Sequence, residues 1–152
     1  MAQYPVITAG TRLTADLLNS MMPNTVIKPA DTTRASTVTV ATDPDLSTGT
    51  LNAGGVYIIE FRIQFSCLQA AGIKTAWLVP AGTGGSKDAY GPASGATANS
   101  NGDTSDLRWA VHGLATAVPY TDVRNSVSFS QFANERGVIT IGATAGPVIV
   151  PE

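Results

Sequence analysis

The sequence predicts a mostly β protein, an antiparallel β-sandwich or a jelly-roll-like fold, with an extended N-terminal arm and one short helix. Residues 56–66 alternate large apolar and polar side chains, which is typical of a strand with one face on a core. Other short apolar segments are separated by Gly, Pro, Asn and Asp turn signals, and the sequence shows no parallel βαβ pattern. With 152 residues, the chain is long enough to form one domain with its own core.

The predicted arm comprises residues 1–34 and carries the only helix signal. Thr14 is expected to cap a helix of about two turns that ends at Pro23. The apolar residues of this helix share one face: Leu13, Leu17, Leu18, Met21 and Met22. A helix this short is not stable in isolation, so we expect it to dock on its own domain or on a neighbouring subunit.

Residues 35–152 form the predicted β-sandwich domain. Strands are predicted at residues 36–40, 56–66, 73–79, 107–112, 127–132 and 138–143, with a closing strand or arm at residues 147–150. Turns are predicted at residues 43–49, 52–55 and 134–137. The stretch 81–106 is rich in Gly, Ser, Ala, Asn and Thr, and it is predicted to be a long exposed loop, with a short hairpin inside it as an open alternative.

The strand at residues 56–66 is expected to lie at the centre of the core. One of its faces carries Tyr57, Ile59, Phe61, Ile63 and Phe65, and the other carries Glu60, Arg62 and Gln64. Each large side chain would contribute about 1.5–3 kcal/mol if it were fully buried. Two tryptophans, Trp77 and Trp109, lie on other predicted strands, and we interpret these aromatic residues as core rather than as the lining of a ligand pocket.

The composition argues against several classes of function. Only 13% of the residues are charged, about half the usual fraction, and the net charge is −2. Nucleic-acid binding is therefore not expected, because it requires a basic stripe. No segment approaches the roughly 20 apolar residues of a membrane span, and the start of the chain lacks a signal-peptide pattern. We expect the protein to stay in the cytosol or to leave it within a larger particle, and a surface of low charge favours contacts with neighbouring subunits.

The residues with catalytic potential form no recognised motif. Cys67 and His112 are the only cysteine and the only histidine, and neither lies in a nucleophile motif. Glu60 and Glu135 are the only internal glutamates, and a solvent-facing strand position and a turn explain them better than a glycosidase acid/base pair does. The sequence therefore predicts that the protein is not an enzyme.

Metal and phosphate motifs are incomplete, so no cofactor is predicted. Asp43, Asp45 and Ser47 resemble the opening of a calcium loop, but Thr48 and Gly54 occupy the positions that require Gly and Glu. A second oxygen-rich cluster without a recognised spacing comprises Asn99, Asn101, Asp103 and Asp106. The Gly-rich residues 82–87 lack the Gly-Lys-Ser/Thr ending of a phosphate-binding loop, and one Cys with one His cannot complete a structural zinc site.

Six segments, in this order and spacing, resemble a family of virion structural proteins from tailed phages of actinobacteria, which are labelled minor tail or head-decoration proteins. The segments are residues 9–19 (AGTRLTADLLN), 28–37 (KPADTTRAST), 43–46 (DPDL), 53–57 (AGGVY), 74–82 (KTAWLVPAG) and 108–113 (RWAVHG). The resemblance runs from residue 6 to residue 146. Similar proteins continue past Gly146 with a strand pair that contains a Trp, whereas this chain has PVIVPE at residues 147–152. This difference suggests that the sandwich has a shortened edge or borrows a strand from a neighbouring subunit.

The resemblance implies a β-sandwich that is displayed on the virion as a trimer. We expect a capsid decoration or cement protein, assembled in the host cytoplasm, that binds the major capsid protein or tail proteins as a homotrimer. The alternatives are a minor tail or tail-fibre component in contact with the host surface and, from another class, a carbohydrate-binding or carbohydrate-active module. The residues expected at the assembly interface are Tyr4, Val6, Ile7, Leu13, Leu17, Leu18, Met21, Met22, Val148, Ile149 and Val150.

Overall fold

The computed structural model describes residues 8–20, 22–33, 41–68, 71–96, 106–121 and 130–151. Within these ranges the elements are one helix, α1 (Ala15–Ser20), and eight strands, which are β1 (Thr42–Ser47), β2 (Val56–Phe65), β3 (Ile73–Thr75), β4 (Gly84–Pro92), β5 (Leu107–Gly113), β6 (Val118–Tyr120), β7 (Gln131–Thr140) and β8 (Ile149–Pro151). The prediction of a mostly β chain with antiparallel sheets is confirmed.

The largest sheet has four antiparallel strands in the order β2-β7-β4-β5. β2 and β7 pair along ten residues, from Val56 opposite Thr140 to Phe65 opposite Gln131. The described residues also form two small antiparallel sheets, β1-β8 and β3-β6. Every pairing in the four-stranded sheet joins strands that are well separated in the sequence, so no strand order follows from the local pattern alone.

The alternation predicted for β2 is confirmed. Ile59, Phe61, Ile63 and Phe65 are buried, whereas Glu60, Arg62 and Gln64 are exposed. Tyr57 is half-buried at the start of the strand, and its hydroxyl oxygen accepts a hydrogen bond from the backbone N–H of Asn52 at 3.0 Å. The turn at residues 52–55 is also present, with the Gly55 N–H donating to the Asn52 carbonyl.

Two adjoining apolar clusters lie on the inner face of the four-stranded sheet. The larger one surrounds Phe61 and Trp77, whose rings meet edge to face at 5.3 Å, and it includes the C-terminal residues Val148 and Val150. Gly137 on β7 provides the space for the indole, because a Cβ at that position would lie 3.0 Å from Trp77 Cζ3. The smaller cluster comprises Phe65, Ala89, Val118, Tyr120 and Ala133.

The prediction of an exposed loop at residues 81–106 is wrong for residues 84–92. This segment is β4, an inner strand of the sheet, with Lys87 and Ala89 completely buried. The residues at its inward positions are Lys, Ala and Gly. Because these are not large apolar side chains, they do not produce the alternating hydrophobic pattern that predicts a strand. The part of the predicted loop at residues 97–105 lies outside the described residues.

Two turn predictions are also wrong. Residues 134–137 lie in the middle of β7, where pairing with strands on both sides overrides the turn propensity of Asn and Gly. Residues 43–45 lie within β1, which pairs with β8 in an irregular register. The predicted strand at residues 73–79 is shorter, since β3 ends at Thr75 and Leu78 forms only an isolated bridge with Ile149. The strands predicted at 36–40 and at 127–129 lie outside the described residues.

The helix α1 begins after Thr14, whose Oγ1 accepts a hydrogen bond from the Leu17 N–H at 3.2 Å. Accepting a backbone N–H of the first helical turn is the normal role of an N-cap residue. Leu13 and Leu18 are exposed on this segment. The chain's own described residues therefore leave much of the apolar surface of this segment uncovered.

The described residues 8–20 and 22–33, here called the N-terminal segment, contact β1 through a buried carboxylate. Asp43 is 2% exposed, forms an ion pair with Lys28, and accepts hydrogen bonds from Thr32 Oγ1 and from the Asp45 N–H, both at 3.0 Å. Burial raises the pKa of Asp43, but the hydrogen bonds and the Lys28 charge outweigh it and lower the pKa to about 2.

We expect this contact to be lost in acid. Because the pKa of Asp43 is lower in the folded state than the ordinary value of 3.8, ionised Asp43 stabilises the fold above pH 3.8. This stabilisation is lost as the pH falls towards 2. The size of the shift corresponds to about 2 kcal/mol. Urea unfolding of the wild type and of Asp43→Asn should therefore differ at pH 6 and converge near pH 2. The matched control is Asp45→Asn, which changes an exposed carboxylate in the same strand. If its unfolding also differed from that of the wild type at pH 6 and converged with it near pH 2, the pH dependence could not be assigned to Asp43.

Candidate assembly surface

A buried polar cluster centres on Glu135 of β7. Its Oε1 accepts hydrogen bonds from the hydroxyl groups of Thr75 (2.5 Å) and Tyr120 (3.0 Å), and its Oε2 accepts from Trp77 Nε1 (2.7 Å) and Lys87 Nζ (3.0 Å). The side chains of Lys87 and Glu135 are both 0% exposed. Both carboxylate oxygens thus have partners from the chain itself, as a buried charge requires.

The electrostatics of this cluster follow from its burial. Burial lowers the pKa of Lys87, while the adjacent Glu135 carboxylate acts in the opposite direction. Burial and the same carboxylate raise the pKa of Tyr120, so its hydroxyl stays a hydrogen-bond donor. The cluster joins β3, β4, β6 and β7 around one carboxylate, and this arrangement makes it a structural feature of the core.

The two internal glutamates lie on opposite faces of the sheet. In the register of β2 with β7, Glu60 is opposite Arg136 and Phe61 is opposite Glu135. Glu60 is exposed and accepts a hydrogen bond from Asn134 Nδ2 at 2.7 Å, whereas Glu135 is in the core. The sheet itself separates the two carboxylates, so one bound sugar cannot lie between them.

Cys67 and His112 are also far apart. Cys67 follows the end of β2, at one edge of the sheet, and His112 lies on β5 at the other edge. Three strand spacings alone correspond to about 14 Å. The structure therefore does not bring these two residues together.

Charged side chains from the segments that resemble ligand sites are paired with other residues of the chain. Asp43 is occupied by Lys28 and Thr32, and the ammonium of Lys87 pairs with Glu135, which leaves it unavailable to a phosphate. Across the described ranges, no three His, Cys, Asp or Glu side chains are grouped in a way that could hold a metal ion. Asn99, Asn101 and Asp103 lie outside those ranges.

The apolar side of β5 faces outwards. Trp109 is 83% exposed, and Leu107 and Val111 are exposed beside it, whereas Arg108 and His112 on the inner side are half-buried. The interpretation of Trp109 as a core residue is therefore wrong. Alternation indicates which side chains share a face, but the pairing of His112 with the buried Lys87 determines which face is inside.

We call the solvent side of the four-stranded sheet the outer face. Its exposed large apolar residues are Val56, Ile58, Tyr90, Leu107, Trp109, Val111, Phe132 and Val138. Four charged side chains lie among them, Glu60, Asp88, Arg62 and Arg136, and their charges sum to zero. A soluble monomer rarely exposes so many large apolar side chains on one sheet face, so this face is a candidate interaction surface.

The predicted assembly residues fall into three groups. Leu13, Leu18 and Met22 are exposed, and Leu17 is half-buried. Val148 and Val150 are completely buried in the core of this chain, which leaves them no surface to offer a partner, and Ile149 is half-buried between Ser47 and Leu78. Four of the predicted residues lie outside the described residues: Tyr4, Val6, Ile7 and Met21.

Comparison with known proteins gives no relative. No family model matches the sequence, and no curated protein or solved structure matches it either. Within the described residues, the single helix is far too short to cross a lipid bilayer.

Proposed function

We propose that the protein is a structural component of a tailed-phage virion, a capsid decoration or cement protein that binds the head surface as a homotrimer. The observation that carries this proposal is the exposed apolar surface of the N-terminal segment. Leu13, Leu18, Met22, Val26 and Ile27 are all exposed there. A segment whose apolar residues are left exposed by the described part of its own chain is suited to burying them in another protein.

The rest of the molecule supports this proposal. All three sheets contribute side chains to the two adjoining apolar clusters. We propose that they form a β-sandwich which the N-terminal segment attaches to the major capsid protein. The low charge of the chain favours close subunit contacts and does not suit nucleic-acid binding. Assembly would take place in the host cytoplasm.

Particle fractionation tests the location. Purified virions are separated into heads and tails, and the copies of this protein in each fraction are counted by quantitative mass spectrometry. We expect many copies in the head fraction. A few copies confined to the tail fraction would contradict the decoration proposal.

Variants of the segment test the attachment. Leu13→Ser with Leu18→Ser should lose binding to heads that lack the protein, because the exposed apolar contact is removed. Leu78→Ser is the matched control, since Leu78 is equally exposed but belongs to the β domain. Both proteins should retain the wild-type circular dichroism spectrum, and equal binding of the two would contradict the proposed role of the segment.

A minor tail or tail-fibre component in contact with host glycans is the second candidate, and it includes a carbohydrate-binding activity. The observation that favours it is the exposure of Trp109 and Tyr90 on neighbouring strands, since exposed aromatic rings offer flat apolar contact area with a polar edge. Glycan-array binding that is lost in Trp109→Ala would support this candidate. Absence of binding to cell-surface glycans of the host would contradict it.

A further inference from the structure

We infer that the outer face of the four-stranded sheet binds a second copy of this chain, face to face, around a two-fold axis that runs parallel to the strands between β7 and β4. This inference concerns the purified chain and does not rest on attachment to a virion. It also differs from a three-fold arrangement, because a two-fold contact uses the same surface on both copies.

The geometry of the sheet permits such an axis. In the order β2-β7-β4-β5, a two-fold axis along the middle of the sheet places β4 of the second copy over β7, and β5 of the second copy over β2. A row here is the set of four residues, one from each strand, that lie opposite one another in the register. Around this axis, each row faces the same row of the second copy with the order of its four residues reversed. A stable contact around this axis therefore requires the central rows to be complementary to their own reversed order.

The charged row meets this demand at its centre. Arg136 on β7 lies opposite Asp88 on β4 in the register. Reversal places Arg136 over Asp88 of the second copy and Asp88 over Arg136 of the second copy, which gives two ion pairs across the contact. The outer positions of the row place Glu60 near Val111, at the rim, where Glu60 keeps its hydrogen bond with Asn134.

The aromatic row is complementary as well. It reads Arg62, Asn134, Tyr90, Trp109 across the four strands. Reversal places the guanidinium of Arg62 over the exposed indole of Trp109, the preferred ring for a cation–π contact. It also places the amide of Asn134 near the hydroxyl of Tyr90, two groups that can form a hydrogen bond.

The next row pairs large residues with small ones. It reads Ile58, Val138, Ser86, Gly113. Reversal sets Ile58 against Gly113 and Val138 against Ser86, so that exposed aliphatic side chains meet positions with space for them. Side chains that interdigitate in this way are typical of two sheets packed about 10 Å apart.

Charge and area both favour a second copy over a foreign partner. The outer face has two acidic and two basic side chains, so it has no net charge with which to select a charged protein or polymer. The four strands of seven to ten residues cover roughly 440–630 Å² in projection. Two copies together would bury roughly 900–1,300 Å² of projected area. Specific interfaces bury about 1,200–2,000 Å², so this area is close to the lower end of that range. Side-chain relief adds to this projected area.

The test measures the mass of the purified full chain in solution by light scattering over a dilution series. We expect a dimer, or a hexamer if a three-fold contact coexists, and we expect Val111→Asp to halve that mass or to raise the dissociation constant at least tenfold. Ile27→Asp is the matched control, because Ile27 is an aliphatic residue that is 83% exposed, against 68% for Val111, but lies outside the sheet. This control should keep the wild-type mass.

A charge exchange tests the axis itself. Asp88→Arg alone should weaken the dimer at least tenfold, because it sets Arg against Arg136 of the second copy, and Asp88→Arg with Arg136→Asp should restore it. Circular dichroism verifies that each variant is folded. A monomeric or trimeric wild type would overturn the inference, as would a dimer that Val111→Asp and Asp88→Arg leave intact. A monomer that binds glycans or heads through this face would also overturn it, while leaving the proposed function standing.

Discussion

Glu135→Gln is expected to destabilise the fold by about 3–5 kcal/mol, because it removes one charge of a fully buried ion pair and leaves the other without a partner. The Lys87 ammonium is 3.0 Å from Glu135 Oε2 and has no access to solvent. The amide of the variant is nearly the same size as the carboxylate, so the loss measures charge rather than volume. Urea unfolding at neutral pH gives the change in the free energy of unfolding.

Two further variants make this result specific. Glu135→Gln with Lys87→Met should be more stable than Glu135→Gln alone, because the uncompensated charge is gone. Glu60→Gln changes the exposed carboxylate on the other face of the sheet and should cost less than about 1 kcal/mol. A similar small loss for Glu135→Gln would contradict the central role of the buried pair.

Trp77→Ala is expected to cost about 3–5 kcal/mol, the usual range for removal of a buried large aromatic side chain. The indole contacts Phe61 edge to face at 5.3 Å and donates its N–H to Glu135 at 2.7 Å. The alanine variant therefore leaves both a cavity beside Gly137 and one unpaired carboxylate lone pair. Urea unfolding followed by circular dichroism measures the loss.

The second tryptophan provides the control. Trp109→Ala removes the same side chain from an exposed site and should change stability by less than about 0.5 kcal/mol at a protein concentration where the chain is monomeric. In the monomer, Trp77 emission should move to longer wavelength only on unfolding, whereas Trp109 emission should already be that of an exposed indole. Equal destabilisation by the two substitutions would show that the burial of Trp77 does not govern the stability of the core.

Several features followed from local pattern. The alternation of residues 56–66 predicted both the existence of β2 and its buried face, since side chains of a strand alternate with a period of two. The sequence also predicts that Thr14 caps a helix, and the Thr14 hydroxyl accepts the N–H of Leu17. These predictions need only residues that lie within one element.

The features that failed depend on distant partners. The local pattern of β4 favours a loop because its inward residues include Lys87, which is buried here only because the carboxylate of Glu135, 48 residues away, pairs with it. The residues Asn134 and Gly137 favour a turn at Glu135, although strands on both sides hold this segment extended. The usual burial of large aromatic residues predicts a core position for Trp109, whereas Trp109 is exposed.

The sequence by itself determined that the chain is mostly β, which residues of β2 face the core, and which side chains share each side of β5. Only the tertiary structure decided that Lys87 and Glu135 meet in the core and that Trp109 and Val111 face outwards. The physical reason is that alternation is a property of one strand. Whether a face is covered is settled by the neighbouring strands and sheets that the fold brings to it.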